Sequence, residues 1–142
     1  MKQRLQRIGA FCLLLLSACA YAEPGGEFYT GLGGKEGVHK LATQLVQLVQ
    51  VDPRLKAQFA EIDAPHLVDM LAQQFCELSG GPCRYSGKAM DVIHDGMKIT
   101  TAQFNALAED LQQAMTMQGI PNSIQNKLIA KLAPMQRQIV GK

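Results

Sequence analysis

From residue 38 onward, apolar residues return every three or four positions, and no stretch alternates long enough to make a convincing strand. Such a chain must bury helix stripes against one another. Val38, Leu41, Leu45, Leu48 and Val49 form the first stripe, after a loose stretch at 23–31, on a helix that ends near Asp52-Pro53. A short turn over 54–59 follows. Asp63 is then placed to cap a second helix with Pro65 in its first turn, where a missing N–H costs little. That helix carries Leu67, Leu71, Phe75 and Leu78 along one face, with Val68, Met70 and Cys76 beside it, and Gly80-Gly81 stops it. A polar loop leads to the segment 88–94, long enough for about two turns. Thr100-Thr101-Ala102-Gln103 is a capping-box pattern, opening a helix whose inner face reads Phe104, Leu107, Ala108, Leu111, Ala114 and Met115. Gly119 and Pro121 end it. Asn122 with Gln125 starts the last helix, with Ile124, Leu128, Leu132, Met135 and Ile139 as its stripe.

Residues 1–22 stand apart from this pattern and read as a secretory signal: Lys2, Arg4 and Arg7, then the apolar run 8–18, then small residues. The run is too short for a finished transmembrane helix. Two cleavage readings stay open. Ala20-Tyr21-Ala22 before Glu23 suits ordinary signal peptidase and a soluble product, whereas Leu16-Ser17-Ala18-Cys19 resembles a lipobox and a lipid anchor on Cys19. Either outcome places the domain at 23–142 outside the cytoplasm, in a periplasm. The signal carries three of the 14 Lys and Arg and none of the 12 Asp and Glu, which leaves the domain close to neutral. With no basic cluster remaining, nucleic acid is not expected as a partner.

Of four cysteines, Cys12 leaves with the signal and Cys19 is removed or lipidated. Cys76 and Cys83 remain, seven apart around the turn Ser79-Gly80-Gly81-Pro82. In an oxidising compartment they can pair, and the chain-entropy model gives so short a loop about 2–3 kcal/mol. Two free thiols are the alternative.

The helices pose a problem of size. About 120 residues with no Trp must cover several apolar stripes, where burial is only marginally sufficient. A flat apolar cofactor between the helices would supply the missing interior.

Several anchors recur in order along the chain: Tyr29-Thr30-Gly31-Leu32-Gly33-Gly34, then Asp52-Pro53-Arg54-Leu55 with Phe59, then Gly80-Gly81-Pro82 with Tyr85-Ser86-Gly87. Most specific is Met90-Asp91-Val92-Ile93-His94-Asp95-Gly96-Met97-Lys98-Ile99-Thr100, followed by Phe104 and Leu132-Ala133-Pro134-Met135. In these residues the chain resembles the group I truncated haemoglobins, from Phe28 to about Val140. The resemblance implies an all-α, two-over-two globin fold, with helix pairs beginning near Lys35 and Ala64 and near Thr101 and Asn122 around one non-covalent haem b. It makes His94 the proximal iron ligand and Phe59, Leu67, Leu71, Phe75, Met90, Met97, Ile99 and Phe104 the haem contacts. Tyr85, Arg84 and Lys88 fall near where propionates emerge, and solvated surface is the reading for both charges. His39 and His66 are read as surface or hydrogen-bonded residues and not as ligands.

On the gas side the chain departs from the family. Val46 and Leu71 stand where members often carry Tyr and Gln, with Leu67 one turn earlier, so the expected distal pocket is apolar. A charge-assisted hydrogen bond to a gas ligand is worth about 1.5–3 kcal/mol, and its absence implies weak oxygen retention. Gln44, Gln73 and Gln74 would reach this space only by a rotation of their helices.

The leading expectation is an exported, monomeric haem protein that binds O2, NO or CO, touching a membrane only through a lipidated Cys19. A His94/Met70-ligated electron carrier or redox sensor, with an electron-transfer partner, is the first alternative, since thioether ligation suits that role. A haem-free helical binding module is the second. No nucleophile–base set or carboxylate pair appears at a meaningful spacing, so amino-acid-based catalysis is the weakest expectation.

Overall fold

A computed structural model describes residues 26–142. The signal reading, both cleavage sites, Cys12 and Cys19 lie outside the described residues. Seven α-helices follow in order: α1 (Glu27–Gly31), α2 (Gly34–Val51), α3 (Ala64–Leu78), α4 (Met90–Ile93), α5 (Thr101–Met117), α6 (Asn122–Leu132) and α7 (Gln136–Ile139), with a 3-10 turn at Ala133–Met135 between the last two. Among the described residues there is no strand, and no helix is long and apolar enough to cross a membrane.

The helix starts follow local chemistry. Gly33 holds a left-handed φ of 87° before α2, and a Cβ there would lie 2.9 Å from the Gly37 Cα, so glycine is needed on both counts. The Asp63 carboxylate accepts from the His66 backbone N–H at 3.1 Å and caps α3. At α5 the capping box closes both ways: the Gln103 N–H donates to Thr100 Oγ1, and the Thr100 N–H donates to Gln103 Oε1.

Packing then sets the architecture. The α2 stripe buries Val38, Leu41, Ala42, Leu45, Val46 and Val49 against α3 and α5, while α5 packs on α6. Leu41, Ala42, Ala114, Met115 and Leu128 have no exposed surface and form the closed part of the core.

Four local expectations change. The stretch at 23–31, read as loose, contains α1 from Glu27, because Tyr29 (3 % exposed) and Leu32 drop into the core and fix that turn. The last helix breaks after Leu132: Pro134 lacks the N–H that would continue the ladder, so the chain tightens into a 3-10 turn before α7. The Met90–Ile93 helix is one turn long, since Ala89 stays extended before it. Gln125 caps nothing at the start of α6; its amide donates to the Ile120 carbonyl at 2.8 Å.

Cys76 and Cys83 meet, with their Cα atoms 5.7 Å apart. The turn between them runs against α1, and a Cβ on Gly81 would come within 2.7 Å of both the Tyr29 ring and Cys76 Sγ. The turn after α2 is tied to α5 by charge: Arg54 pairs with Asp52 and with Glu109. The guanidinium holds the Asp52 carboxyl below the usual carboxylate range. Asp110, next along α5, is 5 % exposed, and its Oδ2 has no hydrogen-bond partner. Burial, and then the neighbouring Asp52 charge, raise its pKa.

Two outcomes follow from this packing. Gly81→Ala lowers the unfolding free energy by about 1–3 kcal/mol, read from denaturant titration, while Gly26→Ala, whose Cβ meets nothing within 4 Å, stays within about 0.5 kcal/mol of the parent. Asp110 has a folded pKa above its unfolded value, so its neutral form stabilises the fold at low pH, and that contribution is lost as pH rises through the raised value. Asp110→Asn therefore raises the denaturation midpoint at pH 7, and the gain shrinks below pH 4; equal midpoints at pH 7 would contradict the assignment.

Candidate functional site

The helices leave between them a cavity of about 900 Å3, within the range of roughly 300–1,000 Å3 typical of small-molecule and cofactor sites. Leu45, Val46 and Val49 of α2 form one wall, and Leu55, Phe59 and Ile62 of the following turn close one end. α3 presents Leu67, Met70, Leu71 and Phe75, and the loop after it presents Tyr85, Ser86, Gly87 and Lys88. Met90, Ile93 and His94 come from α4 and its end, Met97 and Ile99 from the next turn, and Phe104, Leu107 and Leu111 from α5. Every residue expected to contact a cofactor lines this one space: Phe59, Leu67, Leu71, Phe75, Met90, His94, Met97, Ile99 and Phe104. Val46 and Met70 do so as well.

His94 is the residue on this wall with the most specific chemistry. It follows the single turn of α4, half-buried, with Nδ1 2.7 Å from the Met90 carbonyl oxygen. A carbonyl can only accept, so Nδ1 carries the proton and donates it. That bond sets the tautomer: Nε2 keeps its lone pair, available to a metal, while the hydrogen bond orients the ring.

The backbone beyond His94 is held on both sides. Lys98 has a φ of 51°, the one left-handed non-glycine among the described residues. Its N–H donates to the Lys142 carbonyl at 2.5 Å, and the Gly141 N–H donates to the Ile99 carbonyl at 2.9 Å. The segment that follows α7 thus straps the turn bearing Met97 and Ile99.

Polar groups on the wall are few. The Gln74 amide faces the sulfurs of Met90 and Met135, at 3.7 and 3.8 Å, both weak acceptors. Gln118 Nε2 donates to Gln44 Oε1 at 2.7 Å, Gln73 Oε1 accepts from the Ser86 N–H and Oγ, and neither glutamine is among the residues that line the cavity. Burial raises the Tyr85 pKa, and its hydroxyl donates to the Lys88 carbonyl. Arg84 is exposed and pairs with Glu77 at 3.4 Å.

His66 is exposed, as the sequence reading has it, and it also borders the cavity from the first turn of α3, where its backbone N–H serves the Asp63 cap. His39 is an exposed residue, 3.9 Å from Asp69. Leu132, Met135 and Ile139, read as the stripe of one helix, also reach the cavity, because the break at Pro134 turns the chain back over it.

The bacterial-like globin family matches residues 27–140. The group 1 truncated haemoglobin GlbN of Mycolicibacterium paratuberculosis is 27 % identical over 125 residues, covering 88 % of this chain and 91 % of its own. A group 1 truncated haemoglobin GlbN from a Nostoc species is 28 % identical over 118 residues, covering 80 % and 97 %. In three dimensions the Fe(III) form of truncated haemoglobin from Tetrahymena pyriformis superposes with a TM-score of 0.78 at 26 % identity, covering 81 % of this chain and 98 % of that one. An apolar cavity between helices, walled by a histidine with its Nε2 lone pair free, fits the cofactor such proteins imply. This chain belongs to the bacterial-like globin family, as an all-α, two-over-two globin of the group I truncated type.

Proposed function

We propose that the protein is an exported globin that binds a diatomic gas reversibly at a non-covalent haem b whose iron is held by His94. The observation that carries this reading is the Nδ1 bond to the Met90 carbonyl on the wall of a large apolar cavity. When bound, haem would supply an iron centre for reversible gas binding, with His94 to hold it. Phe59, Leu71, Phe75, Met97 and Phe104 would hold the ring by dispersion and by exclusion of water. Val46, Leu67 and Leu71 offer no hydrogen bond to a gas ligand, which favours CO and NO over prolonged retention of O2. Export rests on the sequence of residues 1–22, and the oxidised state of Cys76 and Cys83 accords with it.

A second reading has an observation behind it. His66 and Met70 both reach the cavity from α3, away from the segment that carries His94. Either could supply an internal sixth ligand, in place of the Met70 alone weighed from the sequence, and so fit the protein for electron transfer.

The purified protein mixed with haem shows a Soret band, and His94→Ala loses the wild-type axial coordination; a variant with unchanged ferrous and ferric spectra would refute the assignment. Leu67→Gln or Leu71→Gln slows O2 release by roughly one to two decades, followed by stopped-flow displacement with CO. For a gas binder without an internal ligand, CO association is a single fast phase that His66→Ala and Met70→Leu leave alone. A slow phase abolished by one of those two changes selects the second reading and names the ligand.

A further inference from the structure

The stretch between α3 and α4, residues 79–89, has no regular structure, yet it forms a wall of the cavity and delivers the chain to His94. Its first residues, Ser79 to Gly81, bond back to the end of α3 through the Ser79 hydroxyl and all three backbone N–H groups. From Pro82 onward its tethers to α3 fall into two kinds. Ser86 donates to Gln73, and Arg84 and the Tyr85 N–H reach Glu77, but the side chains of Gln73, Glu77 and Arg84 stand at or near the surface, where such contacts are worth little. The remaining tether is covalent and buried: Cys76, 0 % exposed, bonded to Cys83. Cys76 directly follows Gln74 and Phe75 on the cavity wall, and Cys83 stands two residues before Tyr85, where the loop's part of that wall begins.

We propose that the Cys76–Cys83 bond is a redox-sensitive clamp on the haem site: oxidised, it holds the Tyr85–Lys88 wall and the approach to α4 in place, and reduced, it lets that wall open and the haem leave. The clamp rests on the haem-binding reading above. Its reductant is a dithiol. One thiolate of the dithiol attacks Cys83 Sγ, the half-buried sulfur; the Sγ–Sγ bond breaks, and Cys76 departs as a thiolate that takes up a proton. The second thiol of the dithiol then displaces Cys83 from the mixed disulfide. Two electrons have passed to the protein, which ends as two thiols, and the reductant ends as its own disulfide.

The test is the rate at which haem passes from the purified protein to an excess of apomyoglobin, with and without dithiothreitol, with free thiols titrated in the same samples. Transfer is expected to speed up roughly tenfold or more as two thiols appear, while far-ultraviolet circular dichroism keeps its helical signal. The Cys76→Ala/Cys83→Ala variant should be fast under both conditions and indifferent to the reductant. Rates within about twofold in the oxidised and reduced wild type, or thiols already free before reduction, overturn the clamp while leaving haem binding intact. Loss of the helical signal on reduction overturns it too, because the bond would then support the whole fold and not one wall. Failure of the oxidised wild type to take up haem removes both readings, and the spectrum separates that case from the others.

Discussion

α2 serves two interiors with one stripe, and the rest of the molecule is arranged around that constraint. Its first turns bury Val38, Leu41 and Ala42 in the closed core, where Ala114, Met115 and Leu128 meet them. Its last turns bury Leu45, Val46 and Val49, which also face the cavity. A helix turns through a repeat of 3.6 residues, so one continuous apolar face can run from a packed core into the wall of a hollow without a break. The closed half anchors the helices, and the open half leaves a space that apolar side chains line and do not fill.

The segments that complete that space are short and irregular, and each is secured by contacts to a helix. Arg54 ties the turn bearing Phe59 to α5 through Glu109. Cys76, Gln73 and Glu77 tether the loop that leads to α4. The strap after α7 fixes the turn at Lys98. Rigid helices thus supply position, and the loops supply the chemistry, with His94 set at the end of one turn by its own bond to Met90. Val46, Leu67 and Leu71 bring only apolar side chains to the cavity, so that part of its wall excludes water and donates no side-chain hydrogen bond.

Much of this was legible before any coordinates. The Asp63 cap and the Thr100–Gln103 box involve residues three apart, and their energetics are settled within one turn of chain. The lining residues were legible through the resemblance to the truncated haemoglobins, whose anchors are contiguous motifs; helical spacing alone marked Leu67, Leu71, Phe75 and Phe104 only as buried faces. Less accessible were α1, whose turn forms because Tyr29 and Leu32 find a core made by distant helices, and the end of α6, where one proline redirects Met135 and Ile139 onto the cavity. His66 stays exposed, as read from the sequence, and only the orientation of α3 brings it to the border of the cavity as well.

By itself, then, the order of residues determined the four long helices, the caps of α3 and α5 and which histidine sits in the family motif, since those follow from local hydrogen bonds and from spacing along the chain. Tertiary packing decided which way each face points: that Gln44 and Gln73 turn to Gln118 and Ser86, that Gln74 ends between two methionine sulfurs, and that His66 joins the wall. Those outcomes depend on angles between elements far apart in sequence. Such angles come from fitting side-chain volumes together across the whole interior, a sum that no local stretch of chain contains.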